Sequence, residues 1–183
     1  MLLDERRRLL AERHRHWVAR EQSIARWCHG AAAWPVVVKL LVGISWLGDG
    51  VVWVLLIFSL PWWGGPTGLT SAMYLVALGT VNLIFYKGLK QSIARPRPYV
   101  SCPGIRACTR SLDEFSFPSG HTMHAVAFSL VLADYHPALA LPLWGFTALI
   151  AASRVVLGLH YPSDVLIGGA IGAVTAGFML FIV

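Results

Sequence analysis

Charged side chains are scarce in this chain. Only 13% of its 183 residues are Asp, Glu, Lys or Arg, whereas 56% are apolar, and an average soluble domain carries about 25% charged residues. With so apolar a composition and only 3 cysteines, the sequence is neither a disordered segment nor a disulfide-rich secreted module. Its length fits one domain, and it contains no internal repeat. Two classes of protein remain: a membrane protein, or a soluble protein with an unusually apolar surface.

The few charges are unevenly placed. Seven arginines fall in the first thirty residues, a second basic block lies between residues 87 and 110, and only Lys39 and Arg154 are basic elsewhere. A formal net charge of +6 could indicate a nucleic-acid partner. The stretches between the basic blocks are too apolar for the surface of a soluble nucleic-acid-binding protein. We therefore expect no nucleic-acid partner.

Residues 1–30 form a separate N-terminal unit in this interpretation. Their leucines and tryptophans are interleaved with charges, which predicts an amphipathic helix at a membrane interface; an ordinary solvated helix is the alternative. The charged start is not followed by a short apolar core with a small-residue cleavage site, so it is not a signal peptide.

Residues 31–183 are predicted to be the transmembrane domain. Six apolar stretches occur there, at residues 31–47, 51–63, 69–85, 122–133, 138–152 and 165–183. Several are shorter than the roughly 20 residues that cross a bilayer core, so their polar flanks have to extend the helices. The sequence therefore predicts an all-α protein with six transmembrane helices and one long polar loop over residues 91–118, and long loops of this kind are often functional.

If each predicted helix crosses the membrane in turn, polar residues that are distant in sequence lie at the same membrane face. The residues that converge there are Lys90, Arg97, Ser119, His121, Arg154, His160 and Asp164. Three cations suit the charge that a phosphoryl group spreads over its oxygens during transfer. Pro118-Ser119-Gly120 lies where the loop enters a helix, so backbone N–H groups and the positive helix end can add to this cradle.

The same residues resemble the three-part signature of the type 2 phosphatidic acid phosphatase (PAP2) superfamily. Its parts are Lys90 followed after six residues by Arg97-Pro98, then Pro118-Ser119-Gly120-His121, then Ser153-Arg154 followed by His160 and Asp164. The resemblance implies that His160 attacks phosphorus and forms a phosphohistidine, that Asp164 holds its other ring nitrogen, and that His121 protonates the leaving oxygen. It also implies a reaction without metal or other cofactor.

Other polar residues receive weaker expectations. His124 follows His121 by three residues but lacks further metal ligands at suitable spacing, so we assign it to packing. Asp49 is interpreted as a turn or cap residue, with a supporting role near the site as the alternative. Cys102 and Cys108 lie close together in the long loop; a disulfide between them would brace the loop if that face is extracytoplasmic, and two unrelated thiols are the alternative.

The function expected from this pattern is an integral-membrane lipid phosphatase. Candidate substrates implied by the family are undecaprenyl diphosphate, phosphatidylglycerol phosphate, phosphatidic acid and lipid A phosphate, and the sequence does not choose among them or indicate an oligomeric state. A PAP2-like phosphotransferase and a non-catalytic lipid-binding or transport protein are the alternatives.

The expected location is a bacterial inner membrane. The N-terminal arginines favour a cytoplasmic N-terminus. With six crossings the C-terminus is then also cytoplasmic, and the site lies at the extracytoplasmic face.

Overall fold

The computed structural model describes residues 2–182, and all regular secondary structure within that range is helical. The α-helices are α1 (Leu2–His29), α2 (Pro35–Trp46), α3 (Val52–Trp63), α4 (Gly68–Ile93), α5 (Pro98–Ser101), α6 (Gly120–Tyr135), α7 (Ala140–Val156) and α8 (Pro162–Phe181). Short 3-10 turns at Gly30–Ala33, Gly65–Thr67 and Pro137–Leu139 connect some of them. The predicted all-α class is confirmed.

The first two apolar stretches form one kinked helical run. Helices α2 and α3 have 12 residues each, about 18 Å at 1.5 Å per residue, which is too short for a bilayer core of about 30 Å. A π-helical turn at Leu47–Val51 joins them, and Gly50 in it has a φ of 131°, a conformation that favours glycine. Pro35–Trp63 as a whole is a candidate span of 29 residues by length and composition, and its helical backbone is interrupted at Gly50.

Three further candidate spans follow within the described residues: Gly65–Ser101, Pro137–Val156 and Pro162–Phe181. Large apolar side chains on these helices are exposed, including Leu141, Leu166 and Phe178, as expected for surfaces that face lipid. The predicted six-helix count is not confirmed, since four helices here are long and apolar enough to cross a membrane.

Helix α6 lies at the centre of the bundle. It has 16 residues, and nine of them are buried. Glycines of α8 let the two helices approach closely: a Cβ on Gly172 would lie 2.2 Å from the carbonyl oxygen of Met123, and one on Gly168 would lie 2.6 Å from that of Ser119. Small residues at such a contact are typical of helix packing in membranes. This contact fixes the first turn of α6 beside the first turn of α8.

The bundle has two different ends. At the polar end α4 and α7 finish while α6 and α8 begin, so their polar termini meet there. At the opposite end are the turns Gly65–Thr67 and Pro137–Leu139, where Ser71 Oγ and His136 Nε2 are 3.0 Å apart. An apolar core lies between the ends, with Trp53 edge-on to Phe128 at 5.4 Å between ring centroids.

The last turns of α1 pack onto the polar end. His29 Nδ1 is 2.9 Å from the carbonyl oxygen of Val156, and Ala25 packs with Cys102, Ile105 and Tyr161. Helix α8 runs from this end to Phe181 at the opposite end. The last turns of α1 and the end of α8 therefore lie at opposite ends of the bundle.

Candidate active site

Three basic side chains from three segments converge at the polar end. Lys90 lies in the last turn of α4, Arg97 directly before α5, and Arg154 in the last turn of α7. All three are buried. Arg97 donates from Nη1 to the carbonyl oxygen of Leu159 at 2.7 Å, which holds the guanidinium against the loop after α7. The predicted set of cations is thus brought together.

His160 lies in the loop between α7 and α8. Its Nε2 is 3.3 Å from Nη1 of Arg97. A guanidinium can only donate hydrogen bonds, so Nε2 accepts and the neutral ring carries its proton on Nδ1. Burial, followed by the charges of Arg154 and Arg97, holds the pKa of His160 well below its usual range. The imidazole is therefore neutral near pH 7, with a lone pair on Nε2 facing the cations.

Asp164 lies on the other side of this ring. Its Oδ2 is 3.8 Å from His160 Nδ1, which is beyond hydrogen-bond distance. The same oxygen accepts the backbone N–H of Tyr161 at 2.8 Å, and the residue is fully buried at the third position of α8. The two residues are adjacent, but the predicted hydrogen bond between them is not formed, and the buried Nδ1 of His160 has no hydrogen-bond partner among the described residues.

His121, in the first turn of α6, bonds through Nε2 to the carboxylate of Asp49. Asp49 belongs to the π-helical turn between α2 and α3, so the kink in that span brings an acid to the site. Of the two interpretations of Asp49, the structure favours the supporting role.

Ser119 and Gly120 shape the entry into α6. Ser119 donates its backbone N–H to the carbonyl oxygen of Asp164 at 3.0 Å, and its hydroxyl lies 3.0 Å from that of Thr122. Its N–H is therefore not free for a phosphate, and the unpaired donors of a helix start follow it in the first turn of α6. A Cβ on Gly120 would lie 2.5 Å from the ring of Tyr86, so glycine is required for that ring to pack there.

Asp113 is a site residue that the sequence analysis missed. Its Oδ1 lies 2.7 Å from Lys90 Nζ and 2.5 Å from Arg97 Nη2, and its Oδ2 accepts the Tyr86 hydroxyl. Partial burial raises the pKa of Asp113, but the bonds from Lys90 and Tyr86 outweigh it and lower the pKa overall. An ionised carboxylate thus occupies the cation cradle. The sequence feature that could have identified Asp113 is its position as an acidic residue within a basic loop.

The family model of the PAP2 superfamily matches residues 70–183. The chain belongs to the PAP2 superfamily. Lys90, Arg97, Ser119, His121, Arg154, His160 and Asp164 all fall within the matched range.

Similar proteins agree with this membership. The chain is 32% identical over 138 residues to lipid phosphate phosphatase delta of Arabidopsis thaliana, covering 64% of this chain and 32% of that protein. It is 29% identical over 131 residues to the undecaprenyl-diphosphatase BcrC of Bacillus subtilis, covering 72% and 67%. The chain therefore spans about a third of the plant protein's length.

A solved structure has the same fold. The crystal structure of Aquifex aeolicus LpxE superposes with a TM-score of 0.74 at 25% identity, covering 86% of this chain and 93% of that one. Because nearly all of the LpxE chain is covered, the likeness is not confined to the residues around the site.

A groove leads from the PAP2 site into the bundle. It has a volume of about 430 Å³ and lies between α3, α4 and α6. Asp49 and His121 line its polar end, and Trp53, Ile57 and Leu75 line the remainder. A ligand in this groove would place a polar group beside His121 and an apolar part among the helices.

Other expectations fall outside this PAP2 site. Cys102 and Cys108 are free thiols in the structure, so the predicted disulfide is not formed; Cys102 accepts instead from Arg26 Nη1 at 3.3 Å. His124 Nδ1 is 2.8 Å from the carbonyl oxygen of Gly120, within its own helix. Within residues 2–182, no group of three or more His, Cys, Asp or Glu side chains is arranged to hold a metal ion.

Proposed function

We propose that this PAP2 protein is an integral-membrane lipid phosphatase that hydrolyses a lipid phosphomonoester or diphosphate through a phosphohistidine. The observation that carries the proposal is the buried His160, whose Nε2 faces Arg97 while Asp164 lies on the side of Nδ1. A nucleophile with an oriented partner and a set of fixed cations is the arrangement that covalent phosphoryl transfer needs.

The reaction has two steps. His160 Nε2 forms a bond to phosphorus while the bond from phosphorus to the leaving oxygen breaks, and His121 gives its proton to that oxygen. The leaving oxygen belongs to the lipid alcohol in a monoester and to the lipid monophosphate in a diphosphate. Asp164 stabilises the positive charge that develops on the imidazole. The oxygen of a water molecule then bonds to phosphorus while the bond between phosphorus and His160 Nε2 breaks, His121 accepts a proton from the water, and inorganic phosphate leaves. Lys90, Arg97 and Arg154 stabilise the negative charge on the phosphoryl oxygens in both steps.

The groove supports a lipid as substrate. Its apolar lining suits an acyl or isoprenoid chain, and its polar end opens at His121, the proposed proton donor. Undecaprenyl diphosphate, phosphatidylglycerol phosphate, phosphatidic acid and lipid A phosphate all combine a phosphate with such a chain. The similar proteins of Arabidopsis thaliana and Bacillus subtilis are named as a lipid phosphate phosphatase and an undecaprenyl-diphosphatase.

Phosphate release from these four lipids, measured for purified protein in detergent with a chelator present, tests the function. We expect release from at least one lipid phosphate, unchanged by the chelator, and none from a water-soluble phosphomonoester of the same headgroup. An enzyme that prefers the soluble ester would contradict the lipid assignment. Activity lost on chelation would contradict the metal-free mechanism.

We infer the orientation in a bacterial inner membrane from the charges. All 15 lysines and arginines lie in α1, near the start of α2, between residues 87 and 110, or at Arg154. The turns at the opposite end, Gly65–Thr67 and Pro137–Leu139, contain none. Cytoplasmic loops carry the excess of basic residues. Because the last turns of α1 pack at the polar end, we propose, in place of the extracytoplasmic site expected from the sequence, a site that faces the cytoplasm.

A further inference from the structure

Glu21 is a buried carboxylate on a helix that is otherwise mostly exposed. Only 5% of its surface is accessible. Its Oε1 accepts the backbone N–H of Ser163 at 3.1 Å and also the Ser163 hydroxyl, and its Oε2 accepts Nη2 of Arg95 at 2.6 Å. Ser163 is the second residue of α8, so Glu21 supplies the first turn of α8 with an acceptor from another helix.

Arg95 connects this carboxylate to the site. Its Nη1 donates to Asp164 Oδ1 at 2.7 Å and to Ser163 Oγ at 2.8 Å, while its guanidinium lies 4.2 Å from the ring centroid of Tyr161. One planar guanidinium is therefore fixed between two carboxylates and an aromatic ring. Arginine suits this position because its donors diverge in a rigid fork, which a lysine cannot reproduce.

Asp164 depends on these contacts for its orientation. Arg95 binds Oδ1 and the Tyr161 N–H binds Oδ2, so both oxygens are held and Oδ2 is the one that faces His160. Without these two contacts, rotation of the carboxylate would not be restrained and Oδ2 would not be held toward His160. The cation thus sets which oxygen the nucleophile meets.

The charges of the cluster fit the reaction. Glu21, Arg95 and Asp164 together carry a net charge of −1, next to an imidazole that is neutral before attack. When Nε2 bonds to phosphorus, the imidazole becomes positive, and this cluster compensates the new charge at short range.

We propose that Glu21 and Arg95 are positioning residues for the His160–Asp164 pair, so that docking of α1 completes the site. This inference rests on the proposed function. It assigns α1 a role beyond membrane contact, although α1 lies outside the 70–183 range that the family model matches.

The test compares Glu21→Gln with Glu12→Gln, the same change at an exposed position of the same helix. We expect Glu21→Gln to lower kcat for a lipid phosphate about tenfold, because small misplacements of reacting groups cost rate rather than binding. KM and the melting temperature in detergent should stay near wild type, and Glu12→Gln should match wild type in all three. An unchanged kcat in Glu21→Gln, or a rise in KM alone, would overturn the inference.

Arg95 provides the second variant. Arg95→Met should lower kcat further, and Arg95→Lys should restore only part of it. In the double variant, Glu21→Gln should add little to Arg95→Met, since both remove one connected network. If the two substitutions instead reduced kcat by fully additive amounts of free energy, a shared role of Glu21 and Arg95 would be contradicted. If wild type and Glu12→Gln release phosphate while Glu21→Gln equals them, only the inference fails; if wild type releases none, the proposed function itself fails.

Discussion

Asp113 places a carboxylate where a phosphoryl group has to bind. It contacts Lys90 and Arg97, two of the cations proposed to hold the substrate. Because a bound anion needs the same donors, substrate and Asp113 compete for them. The carboxylate thereby neutralises buried cations that would otherwise be costly to leave unpaired.

Asp113→Asn is therefore expected to strengthen binding of inorganic phosphate. The inhibition constant of inorganic phosphate should fall several-fold in this variant. Lys90 and Arg97 lose a competing anion, while the amide keeps the shape of the side chain. Inhibition of lipid-phosphate hydrolysis by added phosphate measures this, with the exposed neighbour Glu114→Gln as control. Weaker phosphate inhibition in Asp113→Asn would show instead that Asp113 holds the two cations in place.

At the scale of the element, the contact between α6 and α8 fixes the geometry of the site. His121 begins one of these helices and Asp164 begins the other, and glycines of α8 set their separation. Gly172 faces the backbone of α6 directly, whereas a Cβ on Gly169 would meet side-chain methyl groups no closer than 3.5 Å.

Gly172→Ala should consequently destabilise the bundle by roughly 1–3 kcal/mol, the usual cost of overpacking. Backbone atoms of Met123 cannot move aside as a flexible side chain can. Gly169→Ala, the matched control three residues away, should remain near wild type. Melting temperatures in detergent check both, and equal values for the two variants would mean that this contact is looser than described.

The sequence predicted the motif residues well and their outer contacts poorly. His160 and Asp164 are four residues apart, so local geometry alone brings them together. Arg95 and Glu21 are 74 residues apart, and only the folded chain shows that they meet. Gly48-Asp49-Gly50 has the composition of a turn between two helices, and Gly50 interrupts the helical backbone between α2 and α3 with a φ of 131°. The contact of Asp49 with His121, 72 residues away, could not be read from this composition.

At the scale of the whole molecule, the distribution of charge supports the proposed orientation. The polar end holds the basic residues of the bundle and also the docking contacts of α1, so the site and the last turns of α1 share one end of the bundle. The opposite end has no lysine or arginine in either of its turns. Along the sequence, the same residues form two separate basic blocks, in residues 1–30 and 87–110.

Reporter fusions after residue 183 test the orientation. Helix α8 ends opposite the site, so we expect alkaline phosphatase fused there to be active and green fluorescent protein fused there to be dark, as for an extracytoplasmic C-terminus. Fusions before residue 1 should give the reverse. A fluorescent C-terminal fusion would place the site outside the cytoplasm.

The central claim is that His160 carries the phosphoryl group between the two steps. The most direct measurement is rapid acid-free quenching of the enzyme with a ³²P-labelled lipid phosphate, followed by peptide mapping. The account predicts an acid-labile, alkali-stable label on the peptide that contains His160, absent in His160→Ala and present in the exposed control His16→Ala. Normal turnover by His160→Ala, or a label on any other residue, would contradict it.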